Sequence, residues 1–200
     1  MEQNKLIVIT SVLYNEVCYI EEWINFHLKH GFDLVYLYIR YKENEDNNIF
    51  KAILDKYEKY ENVKLFHHKW RKWGHIKDFL KNNVEYENDW ISFLDIDEFL
   101  YSPIEDKSIK DIIYEYEQKQ IYAVKINWNC FGSNGLIEKP KQVVGSYGKP
   151  ANKYCGLNLG IKSLIKFNSI ELNKQISSPH WLHLKNDYNY YTSSGILCSL

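Results

Sequence analysis

Short continuous apolar runs in this chain alternate with segments in which apolar residues recur at helical spacing. Five runs of β-favouring residues predict strands, at 6–13, 34–39, 63–67, 90–95 and 122–127. Four segments with apolar residues three to four positions apart predict helices, at 20–28, 49–57, 76–84 and 109–116. Ser108 is placed to cap the last of these helices. Strands that alternate with helices indicate right-handed βαβ units and a largely parallel α/β sheet, Rossmann-like and covered on both faces.

The pattern changes after residue 128. Segments that carry Gly, Asn and Ser follow, with only short β-like pieces. They predict a small irregular C-terminal lobe and not a second domain. At 200 residues the chain is expected to be one domain, with its α/β layer in residues 1–128 and the lobe in residues 129–200.

Composition and charge exclude several functional classes. The 25 basic and 26 acidic residues give a net charge of -1, and no basic run is long enough to bind a polyanion, so no nucleic-acid partner is expected. No stretch approaches the length of a membrane span, and no signal peptide is recognisable. A cytoplasmic location is expected, with peripheral association at the inner face of the membrane left open. Four widely spaced cysteines are expected to be free thiols, mostly in the core: Cys18, Cys130, Cys155 and Cys198.

Polar residues follow the carboxyl end of each of the first four predicted strands. They are Asn15 and Glu16, then Arg40, then His68 and Lys69, and finally Asp95, Asp97 and Glu98. The carboxyl ends of parallel strands share one edge of a sheet, and ligands bind in the crevice outside that edge. We therefore expect these residues to form a site for an anion and a metal ion.

The segment 90–100 gives this site its chemistry. A short apolar run delivers Asp95, Asp97 and Glu98 within four residues, and a packed core would not tolerate these carboxylates without a cation. On a strand, Asp95 and Asp97 point the same way, and their oxygens suit Mg²⁺ or Mn²⁺. The alternative is a solvated turn with helix-capping acids. The metal hypothesis requires that the two aspartates face a cleft and are not locked in ion pairs with neighbouring lysines.

Asn15 and Glu16 also have two interpretations. They could contact a ligand, or they could form a helix N-cap with an acid in the first turn, and both can hold together. Structural roles are expected for His67 and His68, and a core position for Trp23.

Four motifs occur in order: LYNE at 13–16, EEWINFHL at 21–28, FLDIDEF at 93–99 and WNCFGSNG at 128–135. In this order they resemble the glycosyltransferase family 2-like and family 92 group, over about residues 6–185. The resemblance implies an A-type glycosyltransferase fold, with nucleotide-sugar binding in residues 1–128 and an acceptor side in residues 129–200. For family 92 it also implies an inverting transfer, typically of galactose.

The resemblance extends to a metal site. Asp95 and Asp97 match the D-x-D motif of the group, with Asp97 as the principal metal ligand. His180 matches a late histidine that completes the metal shell, and His183 is the competing candidate. The implied cofactor is Mn²⁺ or Mg²⁺.

Other residues match donor and acceptor positions. Asn15-Glu16 resembles the N-E turn beside the nucleotide, and Arg40 is assigned to the same donor site by its place at a strand end. Lys162 or Lys166 resembles the basic residue before the late histidine, which adds a second cation for the leaving diphosphate. Trp128 with residues 131–133 resembles the acceptor-side loop.

Departures from the family pattern bear on base recognition and on the acceptor. The group usually has an aspartate at the end of the second strand, whereas this chain has YIRY at 38–41 and only a later Asp46. A glutamine expected before the third helix is replaced in the region 73–75. Relatives often continue with further helices beyond the position of Leu200, which leaves acceptor binding either incomplete or supplied by a partner.

These observations predict a metal-dependent glycosyltransferase that uses a UDP-linked sugar donor and a glycan or glycoconjugate acceptor in surface polysaccharide synthesis. Inversion needs a general base. Glu98 is the candidate, although it could equally be a packing carboxylate, and Asp187 and Glu138 stay open. One alternative is a catalytically degenerate module that binds a nucleotide or glycan. A D-x-D phosphatase or phosphotransferase is weaker, because no nucleophilic aspartate with a following threonine is present.

Overall fold

A computed structural model describes residues 4–40, 48–68, 73–176 and 178–198 of the protein. Seven strands are present in it: β1 Leu6–Leu13, β2 Leu34–Arg40, β3 Val63–His68, β4 Trp90–Phe93, β5 Ala123–Asn127, β6 Ile161–Lys166 and β7 Tyr191–Thr192. Four α-helices accompany them: α1 Ile20–Lys29, α2 Asn48–Tyr57, α3 Gly74–Asn82 and α4 Ile109–Gln118. The strands form one sheet in the order β3-β2-β1-β4-β6-β5-β7.

The first four strands confirm the predicted βαβ pattern, with every boundary within two residues of the prediction. β1 lies between β2 and β4, and β2 pairs with β3, all in parallel. Side chains alternate between two buried faces, as β1 shows with Leu6 and Val8 on one face and Ile7 and Ile9 on the other. Helices α1, α2 and α4 cover the first face, and α3 covers the second.

β6 departs from the prediction. It comes from the part of the chain expected to be irregular, and it is inserted between β4 and β5, antiparallel to both. The sheet is therefore mixed, and residues on both sides of position 128 contribute to it. The segment Ile161–Lys166 has the sequence IKSLIK, with only three apolar residues, and does not reveal its pairing partners, because they lie far away in sequence.

α4 begins where the sequence predicts. The Ser108 hydroxyl accepts a hydrogen bond from the backbone N–H of Asp111 at 3.1 Å, and the Asp111 carboxylate accepts one from the Ser108 N–H at 2.8 Å. These two bonds satisfy donors that the first turn of a helix leaves unpaired.

The cysteines and the helix lengths bear on two further predictions. All four cysteines are free thiols, as predicted, but none is in the core: Cys18 is exposed and the other three are half-buried. Among the described residues, no helix has the length and apolar character needed to cross a membrane.

Candidate active site

The carboxyl ends of the parallel strands define one edge of the sheet. Leu13, Arg40 and His68 stand side by side in the register of β1, β2 and β3, and the Arg40 side chain is exposed there. β5 also ends at this edge, and β6 begins there. The structure thus brings the predicted strand ends together. The side chains of Asn15 and His68, and all of Lys69 and Asp46, lie outside the described part.

Glu16 closes the turn after β1. Its carboxylate accepts a hydrogen bond from the backbone N–H of Leu13 at 2.9 Å. Glu16 is thus the acid in the first turn, as the alternative to ligand contact has it, but the N-cap of the short helix Tyr14–Tyr19 is Leu13 and not Asn15.

Asp95 and Glu98 form a closed turn directly after β4. The Asp95 N–H donates to the Glu98 carboxylate at 2.9 Å, and the Glu98 N–H donates to the Asp95 carbonyl at 3.0 Å. β4 ends at Phe93, two residues earlier than the predicted strand. Both aspartates therefore lie beyond the ladder, where strand alternation does not apply, and whether their side chains point the same way stays a prediction.

Lys162 joins this turn from β6. Its ammonium lies 2.8 Å from Oδ2 of Asp95 and 3.1 Å from Oε2 of Glu98. The Lys162 side chain is only 4% exposed, whereas that of Asp95 is 60% exposed. A buried ammonium needs such partners, because an unpaired charge away from water is costly. Lys162 and the Asp95–Glu98 turn therefore form one ionic cluster.

The cluster shifts the protonation of Glu98. Burial raises the pKa of Glu98 to about 7, and the nearby charge of Asp95 adds to this, while Lys162 and the hydrogen bond from the Asp95 N–H oppose it. Burial outweighs the lysine, so Glu98 exchanges its proton near neutral pH.

Asp97 differs from its neighbours. Its side chain is exposed, and within the described residues no hydrogen bond or ion pair engages it. Asp97 therefore meets the requirement that a metal ligand be free of lysine ion pairs, whereas Asp95 does not, because one of its oxygens pairs with Lys162. The described residues contain no group of three or more His, Cys, Asp or Glu side chains arranged to hold a metal ion. What fits here is Mg²⁺ or Mn²⁺ held by one or two carboxylates and completed by substrate phosphates.

His180 lies beside the cluster. Its Nδ1 is 3.1 Å from the carbonyl of Ile161, and its own carbonyl accepts a hydrogen bond from the Ser163 hydroxyl at 2.6 Å. These contacts hold His180 against the two residues that flank Lys162 on β6. Because a carbonyl only accepts, Nδ1 carries the proton and Nε2 is left as the acceptor.

His183 lies elsewhere. Its ring packs on Trp181 with centroids 5.2 Å apart, and it lines a cavity of about 570 Å³ between α3 and residues 170–176. Of the two histidines that the sequence left open, the structure brings His180, and not His183, to the carboxyl edge.

Trp128 stands where β5 leaves the edge. Its backbone N–H donates to the Gly160 carbonyl at 2.9 Å. Its ring covers Gly160 so closely that a Cβ on that residue would collide with the ring. The ring also meets His180 edge to face, with centroids 5.5 Å apart. Trp128 is therefore a packing support for His180, and the exposed residues 131–133 follow it.

Three other predicted residues lie away from the cluster. Lys166 is at the opposite end of β6, where it pairs with Glu117 at 2.8 Å. Asp187 is in a turn anchored to Ser169 near that same opposite end, and Glu138 is exposed in the segment after β5. The structure does not bring Lys166 or Asp187 to the site.

Two residues of α1 position the turn, and the sequence analysis assigned neither of them this role. The indole N–H of Trp23 donates to the carbonyls of Glu98 at 2.8 Å and Asp95 at 3.2 Å. Nε2 of His27 accepts the backbone N–H of Leu100 at 3.3 Å. Trp23 is fully buried, as predicted. A buried indole N–H signals a hydrogen-bond partner but does not identify it.

His27 must stay neutral to do this. Nδ1 donates to the Trp23 carbonyl at 2.9 Å while Nε2 accepts from Leu100, so a proton on Nε2 would face another donor. Burial lowers the pKa of His27 from 6.5 to about 4; the hydrogen bond to Trp23 opposes this shift, and His30 adds to it. The α1 contact with the turn is therefore sensitive to acid.

We expect the free energy of unfolding to fall as the pH drops from 6.5 towards 4. The unfolded state binds a proton in this window and the folded state does not, so stability rises with pH. The contribution of His27 is about 3 kcal/mol. Urea unfolding of the protein and of His27→Gln across this window measures it, and the variant should lose this part of the slope. His183→Gln, a partly exposed histidine away from α1, is the matched control and should keep it. An unchanged slope in His27→Gln would contradict the assignment.

The mixed α/β sheet agrees with the fold that the four sequence motifs imply. The sequence matches Glycosyltransferase family 92 over residues 5–198. The chain belongs to glycosyltransferase family 92.

Relatives and one solved structure agree with this assignment. A family 92 protein of Ricinus communis is 21% identical over 198 residues, with 94% of this chain and 34% of the relative covered. One of Oryza sativa subsp. japonica is 25% identical over 190 residues, with 91% of this chain and 30% of the relative covered. The chain thus spans about a third of the length of these relatives. The structure of residues 1–349 of TarS from S. aureus has a TM-score of 0.52 at 18% identity, covering 88% of this chain and 53% of TarS, which shows a shared fold.

Proposed function

We propose that this protein is a metal-dependent glycosyltransferase. It moves a hexose, with inversion, from a UDP-linked donor to a glycan or glycoconjugate acceptor in surface polysaccharide synthesis at the inner face of the membrane. Membership of family 92 supports the class of reaction. The observation that carries the proposal is the exposed carboxylate of Asp97, which no described residue engages, next to the Asp95–Glu98 turn at the carboxyl edge.

The proposed reaction requires a base and a source of positive charge at the carboxyl edge of the sheet. The acceptor hydroxyl attacks the anomeric carbon, the bond from that carbon to the diphosphate oxygen breaks, and the hydroxyl proton passes to a base. Negative charge grows on the leaving nucleoside diphosphate. A divalent ion, when bound, supplies positive charge that offsets this growth.

Asp97 is the principal residue to hold that ion, with the second carboxylate oxygen of Asp95. His180 leaves Nε2 unused, since Nδ1 is directed to Ile161, but the described residues do not arrange it with Asp95 and Asp97 as a group of three ligands. Exposed carboxylates that leave room for phosphate oxygens are the arrangement that Mg²⁺ favours in nucleotide sites. Arg40, exposed at the end of β2, supplies a cation on the donor side.

Lys162 and Glu98 support the turn. The resemblance assigned Lys162 to the leaving diphosphate, but its ammonium already contacts two carboxylates. Glu98, the candidate base, accepts from both Lys162 and the Asp95 N–H. These contacts favour positioning roles for both residues: Glu98 closes the turn that presents Asp97, and Lys162 neutralises the buried carboxylate.

A second candidate is a module that binds nucleotide or glycan without turnover. The ion pair between Asp95 and Lys162 favours it, because one oxygen of the D-x-D pair is not available to a metal ion. This candidate shares the fold and the site and differs only in catalysis.

Ligand-dependent melting tests the proposal. We expect a UDP-sugar together with Mn²⁺ to raise the melting temperature, because a ligand that binds only the folded state stabilises it, by about 2.7 kcal/mol at a hundred times its dissociation constant. GDP-, CMP- and dTDP-sugars, each with and without Mn²⁺, are the controls. If no nucleotide stabilises the protein, the glycosyltransferase proposal is wrong, and only the glycan-binding form of the second candidate is left. Stabilisation without release of UDP, when candidate glycan acceptors are supplied, would select the binding module.

A further inference from the structure

The segment 129–160, which joins β5 to β6, carries an unusual number of exposed apolar side chains. Besides Val144, six large ones are exposed: Phe131, Leu136, Ile137, Tyr154, Leu157 and Leu159. Ile137 is 99% exposed, Tyr154 83% and Leu159 80%. We call these six side chains the loop surface. Exposed apolar side chains concentrated in one segment are typical of interaction or membrane sites, whereas scattered ones need no explanation.

Hydrogen bonds hold the segment in this conformation. The Ala151 N–H donates to the Cys130 carbonyl at 2.6 Å, and Phe131 forms a β-bridge with Pro150. The Asn158 side chain accepts the Cys130 N–H at 2.9 Å and donates to the Asn152 carbonyl at 3.2 Å. The polar residue of this stretch is therefore turned inward.

Leu157 and Leu159, on either side of Asn158, are left exposed. Glu22 of α1 fixes the rest of the segment by accepting the backbone N–H groups of Val143 and Val144 at 2.7 and 2.8 Å. The apolar side chains are thus held away from the core by the polar contacts of their neighbours.

The net charge of residues 129–160 favours a negatively charged partner. Residues 129–160 contain four lysines, Lys139, Lys141, Lys149 and Lys153, and a single acid, Glu138. Their net charge is +3, in a chain whose total is -1. Four of the six loop-surface side chains are aliphatic, which disfavours a sugar ligand, because sugars stack on aromatic faces. Lysines interleaved with aliphatic and aromatic side chains are typical of proteins that lie on anionic lipid surfaces.

We propose that the loop surface docks this protein on an anionic lipid bilayer. The apolar side chains enter the interface between headgroups and acyl chains, and the lysines meet the lipid phosphates. The segment leaves β5 at Asn127 and enters β6 at Ile161, next to Lys162, so docking places the carboxyl edge of the sheet close to the membrane. Lipid binding does not depend on the proposed transfer reaction.

Flotation with lipid vesicles tests the proposal. The whole protein should bind vesicles of phosphatidylcholine with about 30% phosphatidylglycerol, and bind pure phosphatidylcholine on the order of a hundredfold more weakly. The triple variant Ile137→Ser, Leu157→Ser, Leu159→Ser should lose binding at least about tenfold. The triple variant Lys141→Gln, Lys149→Gln, Lys153→Gln should lose binding to the anionic vesicles only.

Matched controls use exposed residues elsewhere. Ile104→Ser, Leu172→Ser, Ile196→Ser replaces the apolar set, and Lys51→Gln, Lys59→Gln, Lys119→Gln replaces the basic set. Both controls should bind as the unchanged protein does. Absence of vesicle binding, or equal losses in the controls, would overturn the proposal. The proposal would also be overturned if the protein is a dimer and the triple variant at Ile137, Leu157 and Leu159 is a monomer, since the loop surface would then be a contact between two copies of the chain. UDP-sugar binding by the same protein reports separately on the proposed function.

Discussion

Asp97→Ala is expected to lower transfer from a UDP-sugar by on the order of a thousandfold, since the charge stabilisation lost is several kcal/mol. The same variant should bind UDP equally with and without Mn²⁺. Stability should change little, because the Asp97 side chain is exposed and no described residue bonds to it. Calorimetric titration of UDP at several Mn²⁺ concentrations, together with a transfer assay, measures both effects.

Glu105→Ala is the matched control for this change. Glu105 is also an exposed acid in the chain that follows β4, but it lies beyond the Asp95–Glu98 turn. The control should keep full activity and full dependence on Mn²⁺. Retention of Mn²⁺-dependent UDP binding by Asp97→Ala would contradict the assignment of Asp97 as the principal ligand.

Lys162→Met is expected to lower the free energy of unfolding by about 3 kcal/mol at pH 8, since it leaves a buried carboxylate without its cation. Glu98 is 18% exposed and would keep only the Asp95 N–H as a partner. Methionine fills a similar volume, so packing contributes little to the loss. Urea unfolding at pH 5 and pH 8 measures the effect.

The sign of the pH dependence follows from Glu98. Burial already raises its pKa to about 7, above the ordinary value of 4.5, so the folded state holds the proton more tightly than the unfolded state. Its contribution to stability is present below pH 4.5 and is lost as the pH rises through 7. Lys162 lowers the pKa of Glu98, so removing Lys162 raises that pKa. The pH range over which this stability is lost then moves upward. The cost of Lys162→Met should therefore be larger at pH 8 than at pH 5.

Two further variants measure how much the Lys162–Glu98 pair itself contributes to stability. Lys162→Met combined with Glu98→Gln should recover most of the lost stability, because both charges are then absent. Lys166→Met, on the same strand, should cost only about 1 kcal/mol. Its partner Glu117 keeps hydrogen bonds from the Trp90 indole at 3.0 Å and the Asn4 amide at 2.9 Å. Equal losses of unfolding free energy in Lys162→Met and Lys166→Met would show that the buried Lys162–Glu98 pair stabilises the protein no more than the Lys166–Glu117 pair does.

The parallel half of the fold could be predicted from the sequence, because each strand is a run of β-favouring residues and a segment with helical spacing lies between it and the next strand. The D-x-D turn was also located correctly, at the end of β4, although its conformation was not. Strand alternation applies only while the ladder continues, and the ladder stops at Phe93. The chain then turns back through a hydrogen bond from the Asp95 N–H to the Glu98 carboxylate. The spacing of apolar residues cannot predict such a side-chain bond.

The choice between Lys162 and Lys166 could not be made from sequence. Both lie on β6, and only the antiparallel register with β4 shows that Lys162 is at the carboxyl edge. The same holds for Trp23 and His27, whose helical spacing predicts burial but not the Asp95–Leu100 backbone that they contact. Long-range pairing decides these positions, and apolar patterns report only local structure.

The insertion of β6 between β4 and β5 has a consequence for synthesis of the protein. A nascent chain cannot close its sheet until residues 161–166 have left the ribosome, since they separate the two earlier strands. Until then β4 and β5 each present an open edge, and open edges recruit foreign strands and promote aggregation. Lys162 arrives with this last central strand, so no partly translated chain carries an assembled ionic cluster.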